Sequence, residues 1–154
     1  SEIGIDTPEN MVKNAFEVGQ TELGTLYSYE IMIELPEAGM AKDPDVLRKL
    51  ELLENKAMES GITKKTNSIL EVIKDMNQVL HNDNPEYYTL PDDRQLIAQL
   101  LLLYENAGGT ESEYFVDYDY KYLRLSVHLN DMRVKEMTED FNDVKMYATE
   151  LFTN

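Results

Sequence analysis

The stretch Tyr27–Leu35 constrains the fold of this chain more than any other, because its side chains alternate strictly in character. Tyrosine, isoleucine and leucine occupy every odd position, whereas Ser28, Glu30 and Glu34 are among the residues between them. A period of two in aromatic and β-branched residues is typical of a strand with one buried face. The sequence therefore predicts a strand here, and the other elements of the fold must cover its apolar side.

Two further segments are predicted to be strands. Tyr118–Leu129 returns to a period of two, and its apolar positions are Leu123, Leu125, Val127 and Leu129. A shorter strand is predicted over Ile62–Asn67, directly after the first strong helix signal. A βαβ unit with a right-handed crossover is therefore predicted, formed by the strand Tyr27–Leu35, the helix after it and this shorter strand.

Four segments after the strand Tyr27–Leu35 are predicted to be helices. Asp43-Pro44-Asp45 is typical of a helix start, and Gly61 is expected to cap the end of that helix. Ser68-Ile69-Leu70-Glu71 is a capping box that opens a second helix. A third helix follows Thr89–Asp93, and Asn130-Asp131 are expected to cap the fourth. The fourth has the clearest apolar stripe, formed by Val134, Met137, Phe141, Val144, Ala148 and Leu151.

The first part of the chain is expected to be separate from the rest. Residues 1–25 are predicted to be a partly ordered N-terminal segment with a short helix, and residues 26–154 a single domain. Thr7 and Pro8 suit the first positions of a helix, and its apolar stripe would contain Met11, Val12, Ala15 and Phe16.

Half-buried strands separated by amphipathic helices favour an α+β fold, with helices on one face of a small mixed or antiparallel sheet. This is the layout of a ferredoxin-like split βαβ two-layer sandwich. Extra helices would be inserted between its second and third strands, and its fourth strand would be missing. Tyr27–Leu35 would then be an exposed edge strand. We expect it to pair with a second copy of the chain, to be covered by Ser1–Thr25, or to be frayed.

Composition excludes several functional classes. The 154 residues have a net charge of -16, so nucleic acids and anionic lipid surfaces would be repelled. The chain has no cysteine, which excludes disulfides, thiolate metal ligands and a thiol nucleophile. No apolar run is long enough to span a bilayer. The chain starts with Ser rather than Met, and we expect it to be an excised piece of a longer protein.

The sequence offers no positive argument for an enzyme, a cofactor or a metal site. His81 and His128 are interpreted as surface histidines. Asp117 and Asp119, with Asp131 nearby, could offer oxygen ligands to calcium, but the twelve-residue calcium loop is missing, and a solvated acidic edge is the better interpretation. An enzyme is the third hypothesis, and it would need a pocket with convergent polar groups around His128 and Asp131.

Aromatic and aliphatic residues supply the candidates for contact with a substrate or a neighbouring domain. One face of an extended strand would be shared by Tyr114, Tyr118, Tyr120 and Tyr122. These tyrosines could form a contact surface, but packing under loops is the simpler explanation for them. The third helix is apolar over more than half of its circumference, which predicts burial on two sides or contact with another part of a larger protein. The candidate substrate-pathway or contact residues are Tyr118, Tyr120, Tyr122, Leu96, Leu100, Leu103 and Tyr104.

An ordered set of segments resembles a known family. The set comprises Lys42–Leu50, Asn67–Asn77, Pro85–Tyr88, Leu90–Gln99 and Val116–Tyr120. In this order the segments resemble the extracytoplasmic porter domain of RND-superfamily exporters, specifically the MMPL-like predicted exporters. The resemblance extends over most of the chain, from Leu26 to Phe152. Each motif alone has low specificity, and the ordered spacing is what makes the set specific.

The resemblance implies an extracytoplasmic loop of an integral membrane protein, on the periplasmic side of the inner or cell membrane. Such exporters use the proton gradient to move hydrophobic or amphiphilic molecules, often lipids, and their proton-relay residues lie in membrane helices outside this sequence. The implied partners are the transmembrane helices and the other soluble loop of the same transporter, together with the amphiphile. The alternative is a free-standing soluble ferredoxin-like interaction or sensory module without a transport role.

Overall fold

The computed structural model of the chain describes residues 12–21, 24–130 and 134–153. In this part the chain forms one antiparallel sheet and five helices, with short 3-10 turns at Met40–Lys42 and Pro85–Tyr87. The elements in chain order are β1 Val12–Thr21, β2 Gly24–Glu34, α1 Pro44–Met58, β3 Thr63–Asn67, α2 Ile69–Leu80, α3 Arg94–Asn106, α4 Ser112–Phe115, β4 Tyr122–Leu129 and α5 Val134–Phe152. The α+β class predicted from the sequence is therefore confirmed.

The strand order in the sheet is β1-β2-β4-β3, and each neighbouring pair is antiparallel. Because β2 and β3 both run antiparallel to β4, they are parallel to each other and β4 separates them. The two strands that flank α1 are thus split apart by a strand made much later in the chain. Helices α2, α3 and α4 form an insertion between β3 and β4.

The prediction of a short helix near the N-terminus is wrong for the residues that the structure describes. Val12, Ala15 and Phe16 lie in β1, which pairs along its length with β2. Val12 and Phe16, four residues apart, also suit one face of a strand, although Ala15 falls on the other. Pairing with the unpaired edge of β2 satisfies backbone groups that a separate helix would leave open. Thr7, Pro8 and Met11 lie outside the described residues.

Strand β2 is consequently not an edge strand. It pairs with β1 on one side and with β4 on the other, so Tyr27–Leu35 does not offer a free edge for self-association. Of the three outcomes expected for this strand, coverage by the segment Ser1–Thr25 is confirmed. Strand β3 lies at an edge of the sheet and contains Lys64, Lys65 and an irregular register, features that discourage pairing with another chain.

The core lies between the apolar face of the sheet and helices α1 and α5, and buried side chains of α2 and α3 extend it. The apolar face of β2 is buried as predicted, and Tyr29 contacts Phe141 of α5 edge to face with ring centroids 5.3 Å apart. The Tyr29 hydroxyl donates a hydrogen bond of 2.7 Å to Asp140, which ties β2 to α5. The period of α1 in the sequence predicts an apolar stripe of Val46, Leu50, Leu53 and Ala57, and all four side chains are buried. The stripe of α5 is buried or half-buried from Met137 onward.

The helices do not all lie on one face of the sheet. Tyr114 of α4 reaches Glu30 and Arg124, which project from the opposite, polar face of β2 and β4. Our prediction of helices on a single face is therefore wrong for α4. This short helix can lie there because Glu30 and Arg124 supply polar partners that a bare, one-sided sheet would leave to solvent.

Several predicted boundaries change. Strand β4 begins at Tyr122 and not at Tyr118, because residues 117–121 turn and Tyr120 has a positive φ of 55°. Helix α1 ends at Met58 with Glu59 as its C-cap, so Gly61 is not the capping residue. Asn130 follows β4 directly, and Asp131 lies outside the described residues. None of the helices in the described ranges is long and apolar enough to cross a bilayer.

Candidate functional site

A groove of about 750 Å³ lies where the end of α3, the start of α4 and the turn at residues 117–120 meet. Three acidic side chains and two tyrosines line it, and none of the described lining residues is a lysine or an arginine. The lining residues are Glu105, Gly108, Gly109, Thr110, Ser112, Glu113, Val116, Asp117, Tyr118 and Tyr120. We call this feature the acidic groove.

The glycine pair after α3 shapes one wall of the acidic groove. Gly108 has a φ of 91°, a conformation that residues with a β-carbon rarely adopt. Gly109 lies against the ring of Tyr104, which leaves no room for a β-carbon at this position. The Tyr104 hydroxyl in turn accepts a hydrogen bond of 3.1 Å from the backbone N–H of Glu111. Tyr104 is thus a support for the groove wall rather than an open contact residue.

Asp117 organises the opposite wall. Its Oδ1 accepts hydrogen bonds from the backbone N–H groups of Lys121 and Tyr122, at 2.7 and 2.8 Å. The carboxylate therefore closes the turn that places Tyr118 and Tyr120 beside the groove. Aspartate side chains commonly stabilise turns in this way. The acidic edge that we predicted around Asp117 thus has a structural role.

The two tyrosines of the turn differ in their surroundings. The Tyr120 hydroxyl donates a hydrogen bond of 2.7 Å to Glu105, and Lys42 lies 4.3 Å from the centre of its ring. Burial, followed by the hydrogen bond to Glu105, raises the pKa of Tyr120. Tyr118 is 96% exposed and projects into solvent beside the groove. Tyr118 is therefore the side chain at this site with the most surface left to bury on contact.

The structure brings together part of the predicted set of contact residues. Tyr104, Tyr118 and Tyr120 surround the acidic groove, but Tyr122 faces a separate cavity of about 160 Å³ beside Met32 and Arg124. The predicted aromatic ladder on one strand face is wrong. Its members divide between α4, the turn and β4, since the chain is not extended between residues 114 and 121.

Helix α3 leaves an apolar strip on its outer side. Leu102 is 55% exposed and Leu103 is 46% exposed, whereas Leu100 is fully buried and Leu96 is half-buried. The helix is therefore more apolar than its own packing requires. Leu103 is available for contact, whereas Leu100 belongs to the core.

Arginine side chains join segments that are far apart in the sequence. Arg94, at the start of α3, contacts Asp43 at 2.6 Å and the carbonyl of Gly39 at 3.0 Å. Arg48 of α1 bonds Asp92 at 2.5 Å and also its helical neighbour Asp45. These contacts fix the start of α3 against the start of α1.

Asn77 joins α2 to the connection that follows it. Its side chain is almost fully buried, and Nδ2 donates to the carbonyls of Tyr87 and Thr89 at 2.9 and 3.3 Å. His81 accompanies it, stacked on Tyr87 with Nδ1 2.8 Å from the carbonyl of Asn77. His81 therefore helps to hold this connection in place, beyond the plain surface role that we predicted.

The sequence pattern did not reveal the buried ionic cluster on the polar face of the sheet. Glu30 is only 2% exposed, and its two carboxylate oxygens accept hydrogen bonds from Tyr114 and Arg124. The guanidinium of Arg124 also lies over the Tyr114 ring, 4.4 Å from its centre. The only sequence signal was a glutamate at a regular outward position, which is typical of solvent exposure.

The sequence also did not predict the burial of a second acid, Glu54. Glu54 of α1 is 6% exposed and lies beside Glu71, the last residue of the capping box at the start of α2. Burial, followed by the charge of Glu71, raises the pKa of Glu54 to about 8. In the sequence, the signal that could have predicted this burial is that Glu54 directly follows Leu53, a residue of the apolar stripe of α1.

The histidine and metal hypotheses gain no support from the geometry. His128 is half-buried rather than fully exposed, and burial followed by the nearby Lys65 charge lowers its pKa. Its proposed partner Asp131 lies outside the described residues. Within the described ranges, no group of three or more acidic or histidine side chains is placed to hold a metal ion.

Comparisons with known proteins return no family model, no characterised protein and no solved structure that matches this chain.

Proposed function

We propose that this chain is an extracytoplasmic loop domain of a proton-driven RND-type exporter of hydrophobic or amphiphilic molecules. The domain forms part of the substrate pathway, or of the contacts between domains, on the periplasmic side of the membrane. It carries no catalytic residue and no cofactor of its own. Its partners are the transmembrane helices and the other soluble loop of the same transporter.

The observation that carries the proposal is the way the family-like segments meet. Arg94 of the Leu90–Gln99 segment contacts Asp43 of the Lys42–Leu50 segment, and Asn77 bonds Tyr87 of the Pro85–Tyr88 segment. Residues that distinguish a family of scaffolds are expected to hold one arrangement together in this way. These contacts bring four of the five segments together in the folded domain, as a shared scaffold would require.

The acidic groove and the apolar strip of α3 supply the surfaces that the proposal needs. Tyr118 and the strip residues Leu102 and Leu103 are exposed apolar or aromatic side chains on the same insertion. Exposed apolar surface of this kind is typical of contact sites. The strip serves contacts with other parts of the transporter, and the groove is the place where an amphiphile would lie.

The strand order supports a finer description of the fold. We propose a ferredoxin-like split βαβ arrangement in which β2, β3 and β4 are the first, second and third strands. Strand β1 takes the position beside β2 that a fourth strand would occupy. The insertion α2–α4 then replaces the tight connection between the second and third strands.

The most direct test is the coding sequence on both sides of this chain. We expect about twelve transmembrane segments of roughly 20 apolar residues in the full protein. A full coding sequence without any such segments would refute the exporter assignment.

A functional test uses the full-length protein and the efflux of a lipophilic dye from cells that produce it. Leu103→Glu places a charge on the strip, and we expect it to slow efflux several-fold without lowering the amount of protein in the membrane. Leu52→Glu is the matched control, because Leu52 is a similarly exposed leucine on α1. Equal efflux by both variants and the parent would contradict a contact role for the strip.

The second candidate is a free-standing interaction or sensory module. It is favoured by one observation, namely that β1 completes the sheet beside β2 within this single chain. This module would need no membrane segments, so the same coding sequence separates it from the exporter domain.

A further inference from the structure

The carboxyl group of Glu54 is buried, and its hydrogen bonds to water are not fully replaced by hydrogen bonds within the protein. Its Oε2 is inaccessible to solvent and has no hydrogen-bond partner among the described residues. A charged carboxylate in such a position would lose most of its hydration, which costs several kcal/mol unless a cation or several donors replace the water. The surroundings of Glu54 therefore decide whether it can be charged at all.

The groups that face Glu54 do not neutralise it. Glu71 on α2 is a second acid, and its Oε1 already accepts a hydrogen bond of 2.6 Å from the backbone N–H of Ser68. Lys74, one turn further along α2, is a cation whose charge acts on Glu54, but its ammonium pairs at 2.7 Å with Glu51 on α1. The Ser68 hydroxyl and the Lys74 charge favour the ionised form of Glu54, but burial and Glu71 outweigh them.

Two further titratable groups, Asp75 and Tyr88, lie near this cluster. Asp75 follows Lys74 on α2, and burial followed by the charge of Glu111 raises its pKa. The Tyr88 phenol, after α2, has a pKa raised by burial and by the nearby acids, with Lys74 acting in the opposite direction. Neither group brings a positive charge to Glu54. The excess of acids over cations is thus a property of the whole junction.

We propose that Glu54 and Glu71 form a proton-linked latch between α1 and α2, which holds α2 in place while the pair retains a proton and loosens it when that proton leaves. Helix α2 begins the insertion that carries α3, the apolar strip and the acidic groove. Loss of the proton therefore changes how firmly this whole insertion is held on the sheet. The latch does not depend on the exporter assignment.

The direction of the pH effect follows from proton linkage. In the folded state the pKa of Glu54 is about 8, against an ordinary value of 4.5. The latched state therefore binds more protons than the open state between these two values, and its stability falls as the pH rises through that window. The equilibrium constant for opening should rise by up to about tenfold per pH unit for one proton released.

Hydrogen exchange of the intact chain tests the latch. Protection factors of the α2 amides are measured from about pH 5 to about pH 9, since these factors already correct for the intrinsic pH dependence of exchange. We expect the protection of α2 in the parent chain to fall steeply across this range. In the Glu54→Gln variant, which keeps the shape of the side chain without its titration, α2 protection should stay nearly constant.

Two controls make the result specific. Glu59→Gln removes an exposed acid from the end of the same helix and should leave the pH dependence of the parent unchanged. Glu71→Gln keeps an oxygen that can accept the Ser68 N–H and should also flatten the pH dependence. A steep dependence that persists in Glu54→Gln would overturn the latch, as would an equal loss of protection in β4 and α2, which would indicate global unfolding.

Discussion

Gly109 packs directly against the ring of Tyr104, so that a β-carbon at position 109 would overlap the ring. The backbone at Gly109 does not have a positive φ, so steric contact alone requires glycine at this position. Because the ring also contacts Glu111 through its hydroxyl, it cannot move aside without opening the wall of the acidic groove.

Gly109→Ala should therefore lower the free energy of unfolding by about 1–3 kcal/mol, the usual effect of an added methyl group in a packed site. Urea denaturation of the purified chain measures the loss. Gly61→Ala is the matched control, because a β-carbon there would meet no atom within 4 Å and its φ is not positive. Equal stability of the two variants would contradict the packing argument.

Asn77 should be more important to stability than its polar character suggests. Asn77→Ala leaves the carbonyls of Tyr87 and Thr89 without their donor, and we expect a loss of about 1–3 kcal/mol in the free energy of unfolding. Asn55→Ala, at an exposed position of α1, should be neutral or slightly stabilising. The same urea titration compares them, and an equal effect of both changes would argue against a role for the buried amide.

The ionic cluster under α4 should behave as a coupled pair. Glu30→Met removes the partner of a half-buried guanidinium and should destabilise the chain by roughly 2–4 kcal/mol. Combining it with Arg124→Met should recover much of that loss, because the unpaired charge is removed. For comparison, Asp92→Ala breaks the exposed pair with Arg48 and should change stability by less than about 1 kcal/mol. Strict additivity of the two methionine changes would contradict coupling.

The charge of the acidic groove predicts which amphiphiles it binds. Below their micelle concentrations, dodecyltrimethylammonium should shift the NMR signals of residues 105–120, whereas dodecyl sulfate should not, because the lining residues that the structure describes include three acids and no base. Tyr118→Ala should weaken the cationic ligand several-fold, and Met146→Ala, an exposed apolar change on α5, should not. Binding of both detergents with similar affinity would contradict this charge selection.

Tyr29 should be among the last of the ten tyrosines to ionise on alkaline titration. Burial, followed by the hydrogen bond to Asp140, raises its pKa, so the folded state retains the phenol proton longer than the unfolded state does. Stability should consequently fall as the pH rises above about 10, the ordinary tyrosine value. Ultraviolet absorbance of tyrosinate measures the ionisation, and Tyr29→Phe should remove one late step from the curve.

Periodic burial was readable from the sequence. The apolar face of Tyr27–Leu35, the stripe of α1 and the capping box at Ser68 each depend on side chains within one element, and the structure confirms all three. The sequence predicts a helix over part of β1 because the spacing of Val12, Ala15 and Phe16 satisfies a helical period, although the backbone pairs with β2 as a strand. What decides between the two is the free edge of β2, which is a tertiary property.

The candidate site was less predictable for a related reason. The turn that places Tyr118 and Tyr120 on the groove depends on hydrogen bonds from Asp117 to residues after them, which no hydrophobic period reports. Burial of Glu30 and Glu54 depends on partners supplied by α4 and α2. A polar residue at a regular position looks the same in sequence whether its partner is water or another segment of the protein.

The position of β4 has a consequence for synthesis of the chain. The β1–β2 ribbon can form as soon as both strands leave the ribosome, but a two-stranded ribbon is marginally stable by itself. Strand β4 is the partner that both β2 and β3 require, and it is made after α1, β3 and the whole insertion. Until Leu129 emerges, the nascent chain must therefore carry two unpaired strand edges and an uncovered apolar face. The interval in which this protein most needs protection from aggregation is set by the order of its own elements.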